Sequence, residues 1–257
     1  MMQYDIFDSH AHYDDESFDE DRSKIIDEIK SNKVIGILNC GSSVASSKKT
    51  IELAKRYDFI YAAVGIHPET AYEADDKGME EIRSLTSFNK VKAIGEIGLD
   101  YYYEENPPRE IQKQTFIRHM QLAKDLRLPV IIHDRDAHQD TLEIIRQFPE
   151  VNGVVHCFSG SVEFAELCLK EGYYLGVTGV VTFKNAKKII DVVKMVPLER
   201  LLVETDCPYM APVPNRGKRN QSDYIKYIIE QIASIKCITP EEVSRATISN
   251  VKRMLNL

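Results

Sequence analysis

Short apolar runs alternate along this chain with longer stretches whose apolar residues recur every three or four positions. The short runs read as β-strands, being brief and rich in Val, Ile and Leu. They cover 4–8, 34–39, 60–65, 91–96, 130–133, 153–156, 174–177 and 201–204. The longer stretches read as amphipathic helices, at 19–31, 44–56, 77–85, 109–126, 136–147, 162–171 and 185–196, with two more at 222–235 and 240–255. The last has explicit start signals: Thr239 as N-cap, Pro240 at the first helical position and Glu242 three residues after the cap.

Eight strands with helices between them predict a parallel sheet. The count of eight, in 257 residues, favours a TIM (β/α)8 barrel over an open doubly wound sheet. No internal repeat, low-complexity segment or Gly/Ser-rich linker divides the chain, so one domain over 1–257 is expected. The loops 104–108 and 211–217 follow strands, which places both on the rim where such barrels keep their chemistry.

Composition adds little to that frame but excludes some functions. Apolar residues at 43% and charged residues at 28% are those of a globular protein with an ample core. No run approaches the roughly 20 apolar positions that span a bilayer, and the N-terminus lacks a signal-peptide pattern. A cytoplasmic location is therefore expected, with Cys40, Cys157, Cys168, Cys207 and Cys237 as reduced thiols, and neither a membrane nor an obligate protein partner is indicated. A net charge of −7 argues against coating nucleic acid by bulk electrostatics. It leaves a nuclease open, because bound dications can reverse the potential inside one cleft.

Candidate chemistry lies at the strand ends. The first strand runs into Asp8-Ser9-His10-Ala11-His12, where alternation would aim Asp8, His10 and His12 to one side. Glu96 ends the fourth strand, His133 the fifth and His156 the sixth, and Asp206 follows the eighth. Four imidazoles and two carboxylates converging on one rim would be costly to bury unpaired. Metal ligation satisfies them all. Six ligands exceed the three of one catalytic zinc and suit two ions, one held by His10, His12 and Asp206, the other by His133 and His156, with Glu96 bridging. Two ions about 3.5–4 Å apart clamp a phosphoryl group and supply a nucleophile at neutral pH. The donor set suits two divalent cations drawn from Zn, Mn, Mg, Fe, Co and Ni. Asp206, beside the first strand in a closed barrel, is the candidate general base.

His10-Ala11-His12, Gly65-Ile66-His67-Pro68, Gly95-Glu96-Ile97-Gly98-Leu99-Asp100-Tyr101, His156-Cys157-Phe158-Ser159-Gly160 and Glu204-Thr205-Asp206-Cys207-Pro208-Tyr209 together resemble the TatD family of metal-dependent deoxyribonucleases. Leu128-Pro129-Val130-Ile131-Ile132-His133 and Pro214-Asn215-Arg216-Gly217 extend the resemblance over almost the whole chain. It implies a barrel hydrolase of the amidohydrolase superfamily, acting on DNA and, as a second substrate, RNA, with exonucleolytic cleavage from the 3′ end. The same six ligands are implied, Glu96 again bridging. Cys207 stands where the family usually has Ser, next to a ligand but not one itself.

Secondary candidates carry two readings each. His67 could bind a phosphate or stabilise the turn before Pro68. Arg135 could grip a phosphate or pair with Asp134 or Asp136. Tyr101–Tyr103 could stack on a base or pack the rim, and Arg216, Lys218 and Arg219 could follow a nucleic-acid backbone or remain solvated surface. Asp8 is a candidate to orient an imidazole, and Cys157 and Cys207 are expected behind the site. The loop 159–161 could bind phosphate at a helix start or serve through Ser161 as an N-cap. Two other functions compete. One is a small-molecule amidohydrolase, against which no Lys occupies the fourth strand end. The other is a metal-holding binding protein with little turnover.

Overall fold

The computed structural model describes residues 4–257. Its strands are β1 (Ile6–Ala11), β2 (Val34–Cys40), β3 (Ile60–Val64), β4 (Val91–Asp100), β5 (Val130–Arg135), β6 (Gly153–Val155), β7 (Tyr174–Val177) and β8 (Leu201–Val203). All pair in parallel with their chain neighbours, in the order β1 to β8. A bridge between Ala11 and Cys207 joins the two ends of the sheet. Backbone bonds from His12 N to Cys207 O (2.9 Å) and from Asp206 N to His10 O (3.0 Å) support it. This is the expected TIM barrel.

Alternation along the strands divides the core in two. Phe7, Leu38, Ala63, Ala93, Ile131, Val154, Tyr174 and Leu202, one from each strand, fill the barrel interior. The opposite faces, with Ile37, Ile60, Ile94 and Ile132, pack against the surrounding helices. Those helices are α1 (Arg22–Ser31), α2 (Val44–Arg56), α3 (Asp76–Leu85), α4 (Arg109–Leu126), α5 (His138–Ile145), α6 (Val162–Lys170), α7 (Lys187–Met195), α8 (Ile225–Lys236) and α9 (Pro240–Leu255). α9 starts as expected, with a complete capping box between Thr239 and Glu242. Its Val251, Met254 and Leu255 join the interior cluster, each burial contributing about 1.5–3 kcal/mol. The packed barrel interior leaves the C-terminal strand ends for the chemistry.

Several boundaries differ from expectation. β4 and β5 run on, because Ile97, Gly98, Leu99 and Asp100 pair with Ile132, His133, Asp134 and Arg135. Glu96 and His133 therefore sit within strands rather than at their ends. α1 begins at Arg22, after a 3₁₀ turn (Glu16–Phe18) in which the Asp15 carboxylate accepts from Ser17 N. α5 starts only at His138, since Asp136 has a left-handed backbone (φ 54°) that no helix continues through. A 3₁₀ turn (Ser222–Tyr224) precedes α8.

Candidate metal centre

The barrel brings all six expected ligands together. His10 comes from β1 and His12 from just beyond it, Glu96 from β4, His133 from β5, and His156 and Asp206 from the residues after β6 and β8. His12, Glu96, His133, His156 and Asp206 line a cavity of about 1000 Å³, with His67, Asp100, Arg135, Cys157 and Tyr209 among its other walls, and His10 is fully buried beside them.

Glu96 is the centre of the arrangement, and its two oxygens face different partners. Oε2 lies 3.3 Å from His10 Nε2 and 3.4 Å from His12 Nε2. Those two nitrogens are 2.9 Å apart, and Asp206 Oδ1 stands 3.6 and 3.4 Å from them. Oε1 lies 2.9 Å from His133 Nδ1 and 2.8 Å from His156 Nε2. Atoms bound at about 2.0–2.2 Å to one cation stand roughly 3–3.5 Å from each other, so these separations fit shared ions.

The tautomers point the same way. His12 Nδ1 is 2.8 Å from the Cys40 carbonyl, which can only accept, so a neutral His12 turns its Nε2 lone pair toward the cluster. His133 Nε2 is 2.9 Å from Asp100 Oδ2 and must donate there, leaving Nδ1 to face Glu96. A lone pair facing a carboxylate needs a proton or a cation beside it. His10 is held by stacking on His156, with ring centroids 3.9 Å apart.

Electrostatics in the cluster favour positive charge. Burial alone would raise the Glu96 carboxyl, but the imidazoles of His156, His67 and His10 reverse this and hold it well below the usual range. Burial opposes charge on His12, yet Asp206 and Glu96 outweigh it and raise the ring well above its ordinary value. His133 is raised to about 9, with Asp100 and Glu96 overcoming burial. His10 is lowered, by burial and then by His156. Carboxylates that draw imidazoles toward their charged form suit a pocket that surrounds cations.

A family model described as TatD related DNase matches residues 7–256. The chain belongs to the TatD family. It is 44% identical over 254 residues to the uncharacterized metal-dependent hydrolase YabD of Bacillus subtilis (strain 168), covering 98% of this chain and 99% of that one. It is 36% identical to the uncharacterized metal-dependent hydrolase YcfH of Escherichia coli (strain K12), over 98% of this chain and 96% of the relative. Among solved structures, the TatD homologue YjjV of Escherichia coli superposes with a TM-score of 0.92 at 30% identity, over 98% of both chains. The chain is thus placed among TatD-family metal-dependent hydrolases built on a TIM barrel.

The secondary candidates of this TatD-family chain divide. His67 Nδ1 accepts from Glu69 N (3.3 Å) at the start of the turn Pro68–Glu73, so a neutral ring carries its hydrogen on Nε2, 3.4 Å from Glu96 Oε1. It caps a turn and offers a donor to the cavity. Arg135 also lines the cavity, but it lies over Tyr102 and Tyr103 instead of pairing with Asp134 or Asp136. Arg219 is committed to Asp21 and so is not free for a nucleic-acid backbone, while Arg216 lies over Phe183. Ser161 caps α6 through Phe164 N.

The expectations for two residues need correction. Asp8 does not aim with His10 and His12 or orient an imidazole. Its buried carboxylate accepts from Thr205 and Ser222, because irregular pairing with β2 between Asp8 and Ala11 breaks the alternation. Cys157 lines the cavity, since β6 has already ended and its backbone is left-handed (φ 44°). Cys207 alone packs behind. Asp100 supports His133, and Glu204 stands near His156, neither singled out from the sequence for such a role. Glu204 is fully buried, accepts from Cys157 N and Ser9 Oγ, and stands 3.6 Å from His156 Nδ1.

Proposed function

We propose that this chain is a phosphodiesterase acting on nucleic-acid ends, DNA first, with two divalent cations held by His10, His12, Asp206, His133 and His156 and shared through Glu96. The observation that carries this reading is the divided carboxylate: each Glu96 oxygen faces its own set of imidazoles, His10 and His12 at Oε2 and His133, His156 and His67 at Oε1. An open cavity above the cluster suits turnover, whereas a structural site is closed. The family description, TatD related DNase, supports DNA as substrate; cleavage from the 3′ end and RNA as a second substrate belong to the proposal itself. The cytoplasmic setting belongs to the same reading, and the five cysteines stand unpaired.

Bound divalent cations supply Lewis acidity, polarising phosphoryl oxygen and making water nucleophilic near neutral pH. The protein's own groups do the rest. Asp206, held ionised because the imidazoles of His12, His10 and His156 overcome its burial, accepts the proton of the attacking water and returns it to the leaving oxygen. His67 donates from Nε2 to a phosphate oxygen. Arg135 grips the phosphate at the cavity mouth.

A substrate panel tests this. Metal-loaded protein is incubated with single-stranded DNA, duplex with a 3′ overhang, RNA and cyclic amides, beside a His10→Ala control. Nucleic-acid ends should be degraded, most readily from DNA, and the control should be inactive. Rapid amide cleavage with no nuclease activity above the control would overturn the reading.

A further inference from the structure

Among the described residues, the exposed large apolar side chains include four tyrosines, Tyr72, Tyr102, Tyr103 and Tyr209, and all four lie in loops that follow strands. The pair after β4 is the most unusual. Tyr102 is 55% exposed and Tyr103 40%, with ring centroids 4.9 Å apart in an edge-to-face pair. A tyrosine that only packs the rim behaves like neighbouring Tyr101, which is half-buried, donates to Asp140 (2.7 Å) and lies under the Arg109 guanidinium. Tyr102 and Tyr103 instead meet Arg135, whose guanidinium carbon is 4.0 and 4.9 Å from their ring centres. Arg135 is also the single Lys or Arg among the residues lining the cavity, against eight carboxylates. The loop is tied to the metal cluster through Asp100, which accepts from His133 Nε2 at Oδ2 (2.9 Å) and from Tyr102 N at Oδ1 (3.0 Å).

We propose that Tyr102, Tyr103 and Arg135 form a stacking platform that holds the base and adjacent phosphate of a single-stranded nucleic-acid end entering the cavity. This rests on the phosphodiesterase reading and names its substrate as unpaired strand. Tyrosine rings and guanidinium planes both stack on bases, without sequence preference because every base has a π-face. A guanidinium lying over a ring keeps N–H groups for phosphate oxygens; of those on Arg135, Nη1 already donates to Tyr103 Oη (3.4 Å). In a wall so rich in carboxylates, bulk attraction cannot hold the strand, and stacking with one fixed cation can.

The test uses metal-loaded full-length protein, a short single-stranded oligonucleotide, and the same oligonucleotide with abasic terminal positions. Both KM and the Kd from fluorescence anisotropy are measured. Tyr102→Ala and Tyr103→Ala should each weaken binding roughly tenfold or more, with Phe restoring it, and the penalty should shrink to within about twofold on the abasic strand. Arg135→Gln should lower the salt slope of binding by about 0.7, one single-strand phosphate. Equal penalties on base-bearing and abasic strands, or Phe variants no better than Ala, would overturn the platform. Cleavage indifferent to both tyrosines removes the platform alone. Tyrosine-dependent binding without cleavage removes the phosphodiesterase reading and leaves the platform. A wild type that neither binds nor cleaves removes both.

Discussion

Asp206 shows how one residue's backbone and charge serve the site together. It follows β8 with a left-handed backbone (φ 55°), and its amide donates to His10 O across the barrel closure. Asp and Asn tolerate this backbone better than other side chains. Asp206→Asn therefore keeps the turn and one ligating oxygen while removing the base. We expect kcat to fall roughly 10²–10⁴-fold with metal content largely retained, both measured on one preparation. Near-normal kcat with full metal would assign the proton transfer to another group. At this scale the ligands were legible in the sequence as types recurring at strand ends. The supports were legible only in part. Asp100 is two and four residues from Gly98 and Glu96, so continuing the strand's alternation would have placed it beside His133. Glu204 precedes Asp206 by two positions and carried the same signal. Arg135's partners could not be read, because they depend on how the loop after β4 folds back.

Among the elements, the β4/β5 pair decides the geometry. Gly98 has φ 138°, and a Cβ there would come 2.0 Å from the His133 carbonyl oxygen. That contact lies against backbone, so no side chain can move aside. Gly98→Ala should push β4 off β5 and displace His133, lowering both thermal stability and metal content. A variant with unchanged Tm and full metal would show that the strands have slack. Sequence periodicity gave these two strands too little length, because Gly98 and the polar residues beyond it interrupt the apolar run that marks a strand. Their pairing, which no local pattern encodes, carries them on to Asp100 and Arg135. The helices follow their sequence periodicity more closely, apart from first turns where Asp15 and Asp136 favour other backbone shapes.

For the whole molecule, the central relation is between an acidic exterior and a cluster that draws positive charge inward. The net charge is −7, and eight carboxylates line the cavity against one Arg, so on the proposed reading a phosphodiester approaches only if cations sit at the floor. The account therefore stands on two ions sharing Glu96. The most direct test is the metal-to-protein ratio, by elemental mass spectrometry, for wild type, His133→Ala and Glu96→Gln. The ratio should approach two in wild type and one in His133→Ala, and fall below one in Glu96→Gln, with hydrolysis lost in both variants. A wild-type ratio of one at full activity, or a Glu96→Gln variant that keeps two ions and its activity, would contradict it.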